Sequence, residues 1–402
     1  MKILQINSVC GIGSTGRIAT DIHNILIEQG NQSYIAYGRD LPKNCDNAIR
    51  IGTKIDNYAH VAKTRLLDKH GFGSKRATIE FIKKVKEFNP DIIHLHNIHG
   101  YYMNVEILFD YLKEANKPVV WTLHDCWSFT GHCAYFDYVG CDKWKTGCYS
   151  CPEKKAYPSS LIFDNSKNNY LNKKEIFTGV KNLTIVTPSQ WLANLVQESF
   201  LNEYPVNVIN NGIDLNTFRP NAGDFRKKFN LNGKFVILGV ASVWDRRKGL
   251  KYFVELADKL SEDEVIVLVG LTEKQINQIP ENIIGITRTS NVEELVDIYS
   301  SADVFVNPTL EDNFPTTNLE ALACGTPVVT FDTGGSPESI DEISGSIVYE
   351  KDSISLYQTI QAIKNKRIEN ISQYCTKTAM KHYNKAIKFN EYIYLYRNKV
   401  KK

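Results

Sequence analysis

Two carboxylates, Asp312 and Glu320, bracket a segment that reads as the start of a helix. A buried strand ending at Asn307 precedes them, and Pro315 sits where a fixed φ suits a first helical turn. If most of the interval is helical, a rise of ~1.5 Å per residue sets the two carboxylates roughly 10–12 Å apart. That is about the span from a sugar, across a diphosphate, to a ribose, and the free amides near Phe314 and Thr316 suit the charge between them. Taken alone, the pair reads better as a capping acid plus a solvated helix acid, and only the other motifs favour the sharper reading. Upstream, Arg246-Arg247-Lys248 supplies cations. The ammonium of Lys248 suits a leaving phosphate, although the same triplet also fits a solvated helix start.

The other chemically loaded residues fall in the first half. Gly11-Ile12-Gly13-Ser14-Thr15-Gly16 follows the first strand and opens the first helix, so Gly13 lies where backbone amides can meet an anion. The same spacing suits a bare tight turn, or a dinucleotide site in which Asp40 would hold a ribose. His124 ends the apolar run Val119–Leu123, on the side of a parallel sheet where ligands bind; a lone histidine there is otherwise structural. Cys133, Cys141, Cys148 and Cys151 cluster within one short stretch. Four thiolates suit a structural zinc ion, with His132 and Cys126 as substitutes; the alternative is a set of buried free thiols beside Trp127, Phe129, Trp144 and Tyr149.

The elements that must position these residues alternate along the chain. Expected strands are Lys2–Asn7, Ser33–Gly38, Asp91–Asn97, Pro118–Asp125, Leu183–Pro188 and Val206–Asn210, then Phe235–Ala241, Val265–Gly270, Ile283–Thr287, Asp303–Asn307 and Val328–Phe331. Amphipathic segments such as Gly16–Glu28, Leu250–Leu260 and Val292–Ser300 lie between them. Two such series predict two doubly wound α/β domains with parallel sheets, hinged at Asn210–Asp214. The segment Ile371–Lys402 reads as helical, and residues 126–166 form a long loop that fits neither period.

Composition narrows the class. The chain has 402 residues, 43% hydrophobic and 23% charged, as in a globular protein of two or three domains. A formal net charge of +3 is too small to argue for nucleic acid. Nine cysteines, an odd number, do not make a chain-wide disulfide framework. No apolar run approaches the ~20 residues that cross a bilayer, and the amino-terminal run is too short for a signal peptide. A cytoplasmic location is the expectation.

The motifs together resemble the family 4 retaining glycosyltransferases of the GT-B fold. The likeness rests on Asp312-x₇-Glu320 followed by Ala321-Leu322-Ala323-Cys324-Gly325-Thr326-Pro327, on Val208–Asp214, on Arg247-Lys248-Gly249-Leu250 and on Gly334-Gly335-Ser336-Pro337-Glu338. It covers nearly the whole chain, in the family's order. Asp91–Asn97 and the cysteine loop are similar to those of bacterial members that build capsule, exopolysaccharide or lipopolysaccharide.

The resemblance implies two Rossmann-like domains facing each other across a cleft: an acceptor domain over 1–212 carrying the loop 126–166, a donor domain over 213–375, and a helix over 376–402 packing back on the first. It implies transfer of a sugar from a UDP- or GDP-sugar to a glycan or lipid-linked acceptor. Glu320 would hold the donor ribose, Asp312 and His124 the donor sugar, and Lys248 the diphosphate, with Gly13, Arg247, Phe314, Pro315 and Thr316 around the donor. No cofactor is implied for catalysis. His96 with Asn97 would reach the acceptor while His94 packs.

Two departures stand out. Position 312 is usually Glu in the family, so Asp is one methylene short and Glu311 is an alternative. The family's arginine six residues before the lysine falls on Ser242, leaving Arg246 or Arg247 to replace it. Lys63, Arg65, Lys69, Lys75 and Arg76 are candidates for peripheral contact with the inner membrane, or an ordinary solvated face. The competing readings are a nucleotide-sugar epimerase, an inactive nucleotide-sugar-binding partner and, more distantly, a dehydrogenase.

Overall fold

The computed structural model describes residues 1–366 and 369–400. Lys401 and Lys402, included in the expected final helix, lie outside the described residues. The chain divides into two compact units, Met1–Asn210 with Ala386–Lys402, and Asn211–Lys385.

The first unit is built on strands β1 (Lys2–Asn7), β2 (Gln32–Tyr37), β3 (Ala48–Arg50), β4 (Ile92–Leu95), β5 (Val119–Thr122), β6 (Leu183–Thr187) and β7 (Val206–Val208). They pair in parallel in the order β3-β2-β1-β4-β5-β6-β7. Its helices are α1 (Gly13–Glu28), α2 (Lys54–Leu67), α3 (Lys75–Phe88), α4 (Val105–Ala115), α5 (Ser166–Phe177) and α6 (Gln190–Glu198). Side-chain oxygens cap several of them: Thr53 accepts from the Asp56 amide, Asn104 from Ile107 and Ser189 from Leu192.

The second unit carries β8 (Phe235–Val240), β9 (Glu264–Val269), β10 (Ile283–Ile286), β11 (Val304–Asn307), β12 (Val328–Phe331) and β13 (Gly345–Val348), in the order β10-β9-β8-β11-β12-β13. Its helices are α7 (Phe225–Lys228), α8 (Leu250–Ala257), α9 (Glu273–Ile276), α10 (Val292–Ser301), α11 (Thr316–Ala323), α12 (Ser353–Lys366) and α13 (Ile371–His382). Both sheets therefore share the doubly wound order, with the strand sequence reversing between β1 and β4 and between β8 and β11. Ligands on such sheets meet the carboxyl ends of the strands at these reversals.

Each sheet is buried on both faces, as parallel sheets are. On one face of the first sheet, Leu4, Ile93 and Trp121 join the main core. On the other, Ile3, Ile92 and Val120 pack with Ile18 and Ile22 of α1 and with Phe389, Tyr392 and Tyr396 of the last helix, α14 (Lys385–Val400). Residues 376–385, grouped with the final helix in the sequence reading, pack instead in the second unit, where Ala379 and Tyr383 join its core. The sequence pattern does not mark strands β3 and β13, which are short edge strands with little apolar run.

Candidate functional site

The residues singled out in the second unit gather behind β8 and β11. After β8 the chain makes a short helical turn at Arg246–Lys248, capped by the Asp245 carboxylate accepting from the Lys248 amide at 3.0 Å. Gly249 follows at φ +76, and a Cβ there would meet the Pro308 carbonyl at 2.1 Å, so only glycine lets the two loops touch. The Leu310 amide then donates to the Arg247 carbonyl at 2.7 Å. From the other side, Gly334 lies at φ +57 with its virtual Cβ 2.0 Å from the Asp312 carbonyl, and the Gly335 amide donates to that carbonyl at 2.9 Å. The two glycine motifs thus clamp the loop that presents Asp312.

Lys248 Nζ lies 2.5 Å from Asp312 Oδ2, and Arg247 Nη1 lies 3.8 Å from the same oxygen. Arg247 Nη1 also donates to the Glu311 carbonyl at 2.6 Å. Burial alone would raise the Asp312 pKa, but Lys248 and then Arg247 overcome it and hold the carboxyl below its usual range. Lys248 and Arg247 thus both face the one Asp312 carboxylate. Among the competing residues, Glu311 is fully buried while Ser242 and Arg246 are exposed. It is Arg247 that stands beside Lys248.

Pro315 takes the N-cap of α11 at φ −70 and ψ 118, and Thr316 is the first helical residue. Phe314 is buried, its ring 5.9 Å from that of Tyr383. Glu320 lies on α11, buried, with Tyr299 Oη donating to its Oε2 at 3.0 Å. The structure therefore brings Asp312, Lys248 and Arg247 together and holds Glu320 separately, in a hydrogen bond that the sequence did not announce.

In the first unit, strand register decides who meets whom. Gln5 pairs with His94 and His94 with Val120, and alternation puts Gln5, His94, His96, Thr122 and His124 on the face covered by α1 and α14. His96 Nδ1 lies 3.1 Å from His124 Nε2, and His96 Nε2 lies 3.0 Å from Gln5 Oε1. His94 belongs to a separate chain, with Nδ1 at 2.6 Å from Tyr396 Oη and Nε2 at 2.8 Å from Thr122 Oγ1. Burial pushes the pKa of His94 and His96 well below the ordinary value, and that of His124 down to about 4. Gly13, at φ +64, opens α1.

The zinc expectation is not supported: among the described residues, no group of three or more His, Cys, Asp or Glu could hold a metal ion. Cys133, Cys141, Cys148 and Cys151 are free thiols around one small recess shared with Phe136 and Trp144. Cys133 and Cys151 hydrogen-bond to each other, and Cys148 Sγ accepts from the Gly131 amide at 3.1 Å. Packing orders the loop instead. Trp127, Phe129 and Trp144 enter the core, whereas Tyr149 is exposed. Lys173 of α5, fully buried, donates to the carbonyls of Trp127 at 2.6 Å and Thr130 at 3.0 Å. His132 Nδ1 pairs with Asp68 Oδ1 at 2.5 Å.

Two doubly wound units, one presenting a cationic cluster beside a helix start, define a glycosyltransferase of the GT-B fold. The Glycosyltransferase Family 4 profile matches residues 15–217 and that of the Glycosyl transferases group 1 matches residues 234–365, and the chain belongs to the former family. It is 27% identical over 380 residues to the putative colanic acid biosynthesis glycosyl transferase WcaC of Escherichia coli, covering 89% of this chain and 90% of that one. The sucrose-phosphate synthase of Thermosynechococcus elongatus shares the fold with a TM-score of 0.74 at 18% identity, covering 99% of each chain. HepE of Anabaena, solved with UDP-glucose, does so at 0.67 and 14%, covering 97% of this chain and 98% of that one.

Proposed function

We propose that this glycosyltransferase takes a sugar from a nucleoside-diphosphate donor and passes it, with retained anomeric configuration, to a glycan or lipid-linked acceptor in surface-polysaccharide synthesis. The observation that carries this is the Asp312–Lys248–Arg247 cluster beside the start of α11. Lys248 and Arg247, with the amides near Phe314 and Thr316, receive the diphosphate; Glu320 holds the ribose; Asp312 meets hydroxyls of the donor sugar; in the first unit His124 takes a donor-sugar role and Gly13 a donor-binding one. The name of WcaC favours polysaccharide as the product, and HepE with UDP-glucose favours a nucleotide-sugar donor.

In the transfer, the bond from the anomeric carbon to the leaving phosphate oxygen breaks. A new bond forms on the same face to the acceptor oxygen, whose proton passes to the phosphate oxygen. The protein supplies position and positive charge rather than a nucleophile. Lys248 and the helix amides do the work that a diphosphate-bound metal would otherwise do.

Among the described residues no helix is long and apolar enough to cross a membrane. Exposed Leu161, Ile162 and Phe163, next to Arg65 through the Leu161 amide, favour peripheral contact at the cytoplasmic face of the membrane. Lys63 and Lys75 contribute less to that face, since Lys63 Nζ donates to the Phe72 carbonyl at 2.9 Å and Lys75 lies 3.8 Å from Glu106.

A thermal-shift panel of UDP- and GDP-sugars tests the donor. A ligand at 100 times its Kd stabilises by about 2.7 kcal/mol. The selected donor should be hydrolysed slowly, and Lys248→Ala and Glu320→Ala should abolish that. Stabilisation by no nucleotide sugar sinks the reading, and product formation without acceptor by sugar inversion favours an epimerase.

A further inference from the structure

We propose that Gln5 and His96 are positioning residues that hold His124 in its neutral tautomer with the hydrogen on Nε2, so that its Nδ1 edge accepts hydrogen bonds. The inference rests on the reading that His124 meets the donor sugar.

The assignment follows from which groups can donate. Gln5 Nε2 donates to the Ala19 carbonyl of α1 at 3.0 Å. Turning the amide over would set its oxygen against that carbonyl and its NH₂ against His96, so the network fixes the orientation. Gln5 Oε1 can only accept, and it lies 3.0 Å from His96 Nε2, which therefore carries hydrogen. A neutral imidazole with hydrogen on Nε2 has a bare Nδ1. That Nδ1 faces His124 Nε2 at 3.1 Å, and two bare nitrogens do not attract, so His124 carries its hydrogen on Nε2.

The relay requires neutral rings. Gln5 is 0% and His96 1% exposed, and burial depresses the pKa of His96 well below the ordinary value and that of His124 to about 4. Asp125 beside His124 pulls the other way without overcoming burial. His94 does not compete for the relay, because its two nitrogens are taken by Tyr396 and Thr122.

The consequence is chemical selectivity. A neutral His124 with an accepting Nδ1 suits a hydroxyl, which can donate, and not a carboxylate or phosphate, which cannot.

Long-range proton–nitrogen correlation spectra of the intact protein with ¹⁵N-labelled histidine test this directly, with His124→Gln assigning the signals. At pH 7.5 both His96 and His124 should show hydrogen on Nε2. Hydrogen on Nδ1 of His124, or an imidazolium there, overturns the proposal.

Kinetics supply a second arm, using the nucleotide sugar chosen by the thermal panel. His96→Leu should lower kcat about 10–100-fold with donor KM little changed. His96→Asn, whose side-chain oxygen can still accept near the Nδ1 position, should recover most of it. Equal losses in the two variants count against the relay. Full activity in His124→Gln would remove the sugar-contact role of His124 while leaving the spectral tautomer intact, so the two failures are separable.

Discussion

The two units repeat one strand order and part company at the carboxyl ends of their strands. In the first unit those ends carry Gln5, His96 and His124 in one neutral hydrogen-bonded line, His94 with Thr122 and Tyr396 in another, and the Asp125 carboxylate, held by His99 at 3.0 Å. In the second unit the corresponding ends carry Lys248, Arg247 and Asp312 in direct ionic contact. Shared topology gives two ligand-facing edges, and the side chains decide what each edge recognises. On the proposed function, the directional edge would discriminate hydroxyls and the edge bearing Lys248 and Arg247 would attract a diphosphate.

The largest test of this contrast is pH. Burial holds His60 down at about 3, His124 at about 4, and His70, His94 and His96 well below the ordinary value, and all five lie in the first unit. Once unfolded, each titrates near 6.5. Between the folded and unfolded values the unfolded chain binds more protons, so the stabilisation is complete above about pH 6.5 and fades as pH falls, by roughly 1.4 kcal/mol per pH unit for each histidine. In the second unit the depressed groups are carboxylates such as Asp214, Asp312 and Asp341, whose stabilisation persists until pH drops below about 4. Hydrogen exchange at pH 5 should therefore show the first unit opening while the second stays protected. Simultaneous opening would erase the distinction.

Next in size is catalysis. Lys248→Ala should lower turnover about 10²–10³-fold by removing charge stabilisation at the leaving group. His124→Ala should cost less, since a neutral acceptor stabilises less charge than an ammonium. A larger loss at His124 would invert the division of labour. Gly249→Ala comes third: with φ at +76 and the Pro308 carbonyl at 2.1 Å from the added carbon, the loop bearing Lys248 must shift. A loss of about 2–3 kcal/mol is expected, read as a lower melting temperature of the second unit.

Much of this was legible locally. The carboxylates, the cations, the glycine motifs and His124 announce themselves by type and neighbourhood, and period-two apolar runs mark the central strands. What was not legible depends on register or on distant partners. Gln5 reads as one polar residue in a strand, and its role emerges only when β1 and β4 pair so that Gln5 stands opposite His94. Arg247 could not be chosen over Arg246 until Gly249 and Gly334 docked the two loops around Asp312. The cysteine spacing suggested a metal, and gave no hint of Lys173, far along the chain on α5, which contributes two hydrogen bonds to the loop and a contact 3.4 Å from the Trp127 ring centroid. A buried lysine has no sequence signature.

The finest test compares two phenols. Tyr396→Phe deletes the hydroxyl 2.6 Å from His94 Nδ1, and Tyr299→Phe deletes the one 3.0 Å from Glu320 Oε2. Both side chains are fully buried and the ring is kept, so each variant removes the named hydroxyl contact while leaving the packing of the ring in place. A neutral bond contributes about 0.5–1.5 kcal/mol and one to a carboxylate about 1.5–3 kcal/mol. Denaturant midpoints should therefore fall more for Tyr299→Phe, in the second unit, than for Tyr396→Phe, in the first. Only Tyr299→Phe should also weaken nucleotide-sugar binding, because it removes a hydrogen bond that orients the carboxylate proposed for the ribose, whereas Tyr396 acts in the His94 chain and outside the relay to His124. Equal stability losses with equal binding would mean that Glu320 is held as a neutral structural group, and the ionic character assigned to the second unit would shrink to Lys248, Arg247 and Asp312.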